Sequence, residues 1–241
     1  MISVVATVAS IVQDILILSD NAKPEISQAF KHSSLIQRPF ARGEVISNDS
    51  NELSHSQFLT TVALFEGGLL AAAFLGGWLL DCPPTATLTW SLEDFGLGLL
   101  ATVPMLVVLA ICALSRSEAM QKIRAFQRDT VGHLLDECRW YDIVLLALLA
   151  GVCEEVLFRG FLFLWLVRFS SVIAVLISNL AFGAAHAATP LYGILAAFLG
   201  LYLTALIAVD PTPNLLIPIT AHTIYDIAAF ALVLHDYRRQ K

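Results

Sequence analysis

The feature that most constrains this chain is a succession of apolar stretches, each near the roughly 20 residues an α-helix needs to cross a bilayer. They fall at about 58–80, 95–115, 141–167, 171–188, 191–209 and 215–235. Composition supports reading them as membrane spans. The chain is 57% hydrophobic and 14% charged, with a mean hydropathy of +0.75, whereas a soluble domain is about 45–50% apolar and about 25% charged. The expected fold is an all-α, polytopic membrane helix bundle with about six transmembrane helices.

Between the second and third spans, Met120, Ile123, Phe126, Val131, Leu134 and Leu135 recur at helical spacing among charges. That pattern suits one amphipathic helix at the membrane interface. The loop charges favour one orientation. Residues 81–94 hold Asp81, Glu93 and Asp94 but no Lys or Arg, whereas 116–140 hold Arg116, Lys122, Arg124, Arg128 and Arg139. The tail adds Arg238, Arg239 and Lys241. The positive-inside rule then makes both termini cytoplasmic. Residues 1–56 read as an N-terminal extension, flexible and cytoplasmic, because 1–18 lack the basic start and cleavage site of a signal peptide and 20–56 are polar. Residues 57–241 form the membrane domain. No basic patch suggests nucleic acid; the expected partners are the lipid bilayer and a peptide or protein substrate. Cys82, Cys112, Cys138 and Cys153 share no pairing or metal spacing, and an apolar setting makes Cys153 a poor nucleophile.

Charges inside the spans mark the place to look for chemistry, because an ionisable group there costs about 2.5–3.5 kcal/mol on insertion scales. The third span contains Cys153-Glu154-Glu155-Val156-Leu157-Phe158-Arg159-Gly160. Glu155 and Arg159 are four apart, so a helix pairs them on one face. Glu154 points about 100° away and stays available for other work. The fourth span places Phe182 one turn from His186, and the sixth places His222 and Asp226 on one face. A His and an Asp at that spacing suit a metal half-site, a helix-stabilising pair, or a donor set for an oxyanion.

The order E-E-x-x-x-R, F-x-x-x-H, H-x-x-x-N/D resembles the CAAX prenyl protease type II family, also called the CPBP family of intramembrane proteases. The resemblance covers about residues 140–236. Every motif position is filled, by Glu154, Glu155, Arg159, Phe182, His186, His222 and Asp226; the last is often Asn in the family. The resemblance implies peptide-bond hydrolysis within the membrane without a covalent intermediate. Glu154 and His186 would activate a water, while His222 and the Asp226 position would stabilise the oxyanion. Glu155, Arg159 and Phe182 would support them. An ionised Asp226 would repel an oxyanion, so the expected role for it is to orient His222 through a hydrogen bond.

No metal is required by this reading. Zinc is the alternative, because Glu154, His186 and His222 make a His₂Glu set. A non-catalytic scaffold or carrier is the rival from another class, although a carrier would more often show inverted repeats and broken helices in both halves, and the chain shows neither. Counting residues along these spans sets Glu154 and His222 toward the outer half and His186 nearer the cytoplasm. The motif residues therefore meet only if the fourth helix is placed differently or the helices tilt.

Overall fold

The computed structural model describes residues 54–207 and 212–241. The 1–56 extension lies almost wholly outside these residues, as does the end of the span expected at 191–209. Among the described residues the protein is entirely helical. Helices α1 (His55–Leu79), α2 (Leu92–Leu114) and α3 (Glu118–Asp136) come first. Helix α4 runs without a break through Trp140–Glu155, Val156–Phe163 and Leu164–Val167, and α5 (Ser171–Ala185), α6 (Pro190–Leu206) and α7 (Leu216–Arg238) follow. Ser54, Ser91, Ser117, Ser170 and Thr189 begin five of the seven, each accepting a hydrogen bond from a first-turn N–H, which satisfies donors that a helix leaves orphaned.

Helices α1, α2 and α7 are long and apolar enough to cross a membrane, and α5 and α6 are apolar but shorter. Leu64, Trp78, Leu92 and Leu100 stand exposed on α1 and α2; an outward apolar surface of this kind belongs against lipid. Helices α1 and α4 run parallel. At one end His55 Nε2 meets Asp142 Oδ2 at 3.3 Å, and at the other Arg168 donates to the carbonyls of Leu80 and Asp81. The tail returns to the first of these ends, where Arg238 and Lys241 both pair with Asp136.

Helix α7 is the centre of the bundle, with every residue from Leu216 to Thr223 buried. Asn214 anchors its start: Oδ1 accepts from Leu216 N, and Nδ2 donates to Thr89 O and Asp94 Oδ2. Small residues bring the other helices close, as membrane packing favours. A Cβ on Gly151 would lie 2.2 Å from Thr223 Oγ1, so α4 and α7 touch nearly backbone to backbone beside Glu154. The apolar stripe of α3 is turned onto α7, with Val131, Leu134 and Leu135 packed among Phe230, Val233 and Leu234.

Candidate active site

Directly after Glu155, helix α4 widens into a π-helical stretch, Val156–Phe163. Such stretches are rare and frequent at functional sites. The widened turn carries Arg159 inward, where it is fully buried with Glu155. Arg159 Nη1 donates to Glu155 Oε1 at 2.7 Å, Nη2 to Gly200 O at 2.9 Å, and Nε faces Thr204 Oγ1 at 3.5 Å. Thr204 in turn donates to Asn179 Oδ1 at 3.1 Å. The guanidinium also lies 4.3 Å from the centre of the Phe182 ring, a cation–π contact. One arginine thus ties α4, α5 and α6 together.

The expected pair of Glu155 with Arg159 is present, but Glu155 does more. The same Oε1 lies 2.8 Å from His222 Nδ1. Since the oxygen can only accept from an imidazole N–H there, Nδ1 carries the proton and Nε2 turns toward Glu154 Oε2 at 3.9 Å and Asp226 Oδ2 at 3.5 Å. His186 is fixed by the same logic. Its Nδ1 lies 2.8 Å from Phe182 O, so Nδ1 donates and Nε2 faces Glu154 Oε2 at 3.5 Å. The Phe182 ring packs on both imidazoles, with centroids 4.4 Å and 6.0 Å away.

These contacts correct one expectation. Glu155, not Asp226, makes the hydrogen bond that orients His222. Asp226 stands on the same helix one turn on and reaches only the Nε2 side, at a distance beyond a good N–H···O bond. They also resolve the mismatch in depth. Helix α5 starts where expected but has only 15 residues, about 22 Å at 1.5 Å per residue. It is shorter than the span expected, and His186 at its C-terminus comes level with Glu154, 3.5 Å from its Oε2.

The motifs also left out residues that matter. Gly200 and Thr204 hold Arg159, with Asn179 behind Thr204, and Gly200 works because a Cβ would lie 2.9 Å from Nη2. Glu66 of α1 is fully buried and interacts electrostatically with Glu154, Asp226 and His222. A lone carboxylate in a 25-residue apolar helix was the available signal.

A cavity of about 930 Å³, measured out to its open mouth, ends on His186, His222 and Asp226. Its walls are apolar, drawn from α2 (Met105, Val108), α3 (Met120, Ile123) and α6 (Leu195, Leu199). The convergence of two Nε2 atoms on Glu154 Oε2, each ring fixed through its Nδ1, also fits the His₂Glu donor set of a catalytic zinc. A separate trio, His55, Cys138 and Asp142, brings ligand atoms within 4.8 Å of one another near the starts of α1 and α4. There burial, with Asp142 and Glu137 nearby, pushes the Cys138 thiol up to about 12, and its Sγ donates to Leu134 O.

A helical membrane bundle with a buried glutamate–histidine centre, opening to an apolar cavity, is the class of protein that fold and site define. Residues 137–228 match the family model described as Rce1-like, the type II CAAX prenyl endopeptidases. All seven motif residues lie within that segment, and the match supports a CAAX protease-like enzyme in general. No curated protein and no solved structure matches the chain.

Proposed function

We propose that the protein is an intramembrane endopeptidase that hydrolyses a peptide bond of a membrane-associated protein or peptide with water activated by Glu154 and His186. The observation that carries this reading is the convergence of His186 Nε2 and His222 Nε2 on Glu154 Oε2, 3.5 Å and 3.9 Å away, at the inner end of an apolar cavity. A water sitting beside these atoms could hydrogen-bond to Oε2 and to an Nε2 together. Its oxygen attacks the carbonyl carbon and its proton passes to Glu154. Collapse of the tetrahedral intermediate breaks the C–N bond, and the proton goes to the departing amine. His222, where it has bound a second proton at Nε2 before the attack, faces the developing oxyanion through that N–H and keeps the proton throughout, and Glu155, braced by Arg159, balances the imidazolium much as the aspartate does in serine protease triads. The apolar walls suit a substrate with a long apolar chain or transmembrane segment.

Glu154→Gln tests the reading. Cleavage of a membrane peptide should fall on the order of 10²–10⁴-fold, the usual worth of a general acid–base group, with an unchanged melting temperature. Wild-type turnover by this variant would sink it.

The zinc alternative is favoured by the same convergence. Glu154, His186 and His222 would hold the ion, which would polarise the carbonyl and acidify a bound water. The metal-free reading expects activity to survive a chelator; loss with chelator and return with zinc would select the alternative.

A further inference from the structure

His55, Cys138 and Asp142 stand apart from the site already described. His55 opens α1, Cys138 sits in the short connection between α3 and α4, and Asp142 belongs to the first turn of α4. Along α4, Asp142 precedes Glu154 by about 18 Å at 1.5 Å per residue. The trio shares no side chain with the glutamate–histidine centre, and hydrolysis as described leaves it without a task.

The three residues bring a nitrogen, a sulfur and an oxygen within 4.8 Å of one another. Cys138 and Asp142 are buried, and His55 is partly exposed. His55 Nε2 itself is shielded from solvent and has no hydrogen-bond partner among the described residues, although Asp142 Oδ2 is only 3.3 Å away. An imidazole that merely paired with a carboxylate would aim its N–H at the oxygen; this nitrogen is aimed to one side of it. The spacing is that of two ligands of one ion. Nitrogen and oxygen at about 2.0–2.1 Å from a tetrahedral zinc ion lie about 3.3 Å apart, and a thiolate at about 2.3 Å lies about 3.6 Å from either. Sγ therefore has at most about 1.2 Å to close.

The surroundings suit a ligand set. Asp142 Oδ2 accepts from Arg139 N at 2.8 Å, the kind of hydrogen bond that holds a ligating carboxylate in place. The open side of His55 gives an ion an approach from solvent and leaves a fourth position for water. Sγ donates to Leu134 O; on binding, that proton is released and the sulfur gives the metal an electron pair as the thiolate. A thiolate with an imidazole selects zinc over calcium or magnesium, which take oxygen ligands.

We propose that His55, Cys138 and Asp142 form a zinc site that fastens the start of α1 to the α3–α4 connection. The site stands whether or not the protein is an endopeptidase. The full chain in detergent, kept reduced and freed of metal with a chelator, is compared as wild type, His55→Ala, Cys138→Ser and Glu154→Gln. Cobalt, a spectroscopic stand-in for zinc, should give wild type a sulfur-to-cobalt charge-transfer band, and added zinc should abolish it. The band should be absent in Cys138→Ser, and His55→Ala should bind cobalt roughly tenfold or more weakly. It should persist in Glu154→Gln, since a metal held by Glu154, His186 and His222 has no sulfur ligand. In Glu154→Gln, zinc at about a hundred times its dissociation constant should raise the melting temperature by roughly 5–11 °C, and adding Cys138→Ser should remove most of that rise. A wild type without the thiolate band overturns the proposal, with no variant needed. So does a band that survives in Cys138→Ser, whose sulfur is then another cysteine's, or equal cobalt affinity in His55→Ala. A band lost in Glu154→Gln overturns it too, because the metal then sits at the glutamate–histidine centre.

Discussion

Replacing Arg159 by methionine keeps an unbranched side chain but removes the charge that Glu155 shares. In the structure one oxygen, Glu155 Oε1, accepts from Arg159 Nη1 at 2.7 Å and meets His222 Nδ1 at 2.8 Å, and both members of the ion pair are fully buried. Breaking a buried pair by removing one partner costs about 3–5 kcal/mol, because the other charge is left uncompensated. Gly200 O loses its donor in addition. At about 2–4 °C per kcal/mol for a chain of 150–250 residues, Arg159→Met should melt roughly 6–20 °C below wild type. The double variant Glu155→Met/Arg159→Met should regain most of that loss, since apolar replacement of a whole buried pair is often neutral. It should not regain activity. His222 would lose the acceptor that fixes its Nδ1 proton, a change on the order of 10²–10⁴-fold in rate. Melting curves and cleavage rates of the two variants are the assay. An unchanged melting temperature in Arg159→Met, or wild-type turnover in the double variant, would refute the reasoning.

Asp226 lies on the Nε2 side of His222, so an amide that can donate toward an oxyanion should serve at least as well as the carboxyl group. Asp226→Asn should keep or raise the cleavage rate and Asp226→Ala should lose it; a dead Asn variant whose loss depends on chelator would favour zinc. Hydrogen bonds from Arg238 and Lys241 hold the Asp136 carboxyl below its usual value. A lowered folded value adds stability above the unfolded value of about 3.9 and loses it as pH falls through the folded one. Wild type should therefore melt above Asp136→Asn at neutral pH, with the difference vanishing in acid; a pH-independent gap would contradict the pairing. If the basic end is cytoplasmic, as the positive-inside rule expects, cysteines placed at positions 85 and 128 should label from opposite faces of the membrane, and labelling of both from outside would overturn the topology.

Much of the site was legible because membrane sequences are sparse in charge. Within apolar runs, Glu154, Glu155, Arg159, His186, His222 and Asp226 stand out, and four-residue spacings place Glu155 with Arg159, Phe182 with His186, and His222 with Asp226 on shared helix faces before any contact is known. Glu66 was equally visible as a charge in an apolar helix, yet it forms no motif, and nothing local says that α1 packs beside Glu154. The partner of His222 was illegible for a related reason: Asp226 is near in sequence, but Glu155, 67 positions away, makes the bond.

By itself the sequence determined the helical class, the apolar faces and the set of ionisable groups carried inside, because hydrocarbon leaves the backbone little choice and penalises every charge. Which of those groups share a proton or an oxygen was decided only by tertiary structure. The short descent of α5 to the level of Glu154, the widened turn at Arg159 and the Gly151–Thr223 contact set distances of a few ångströms between helices. Periodicity reports the face of a helix, not its depth or its neighbour.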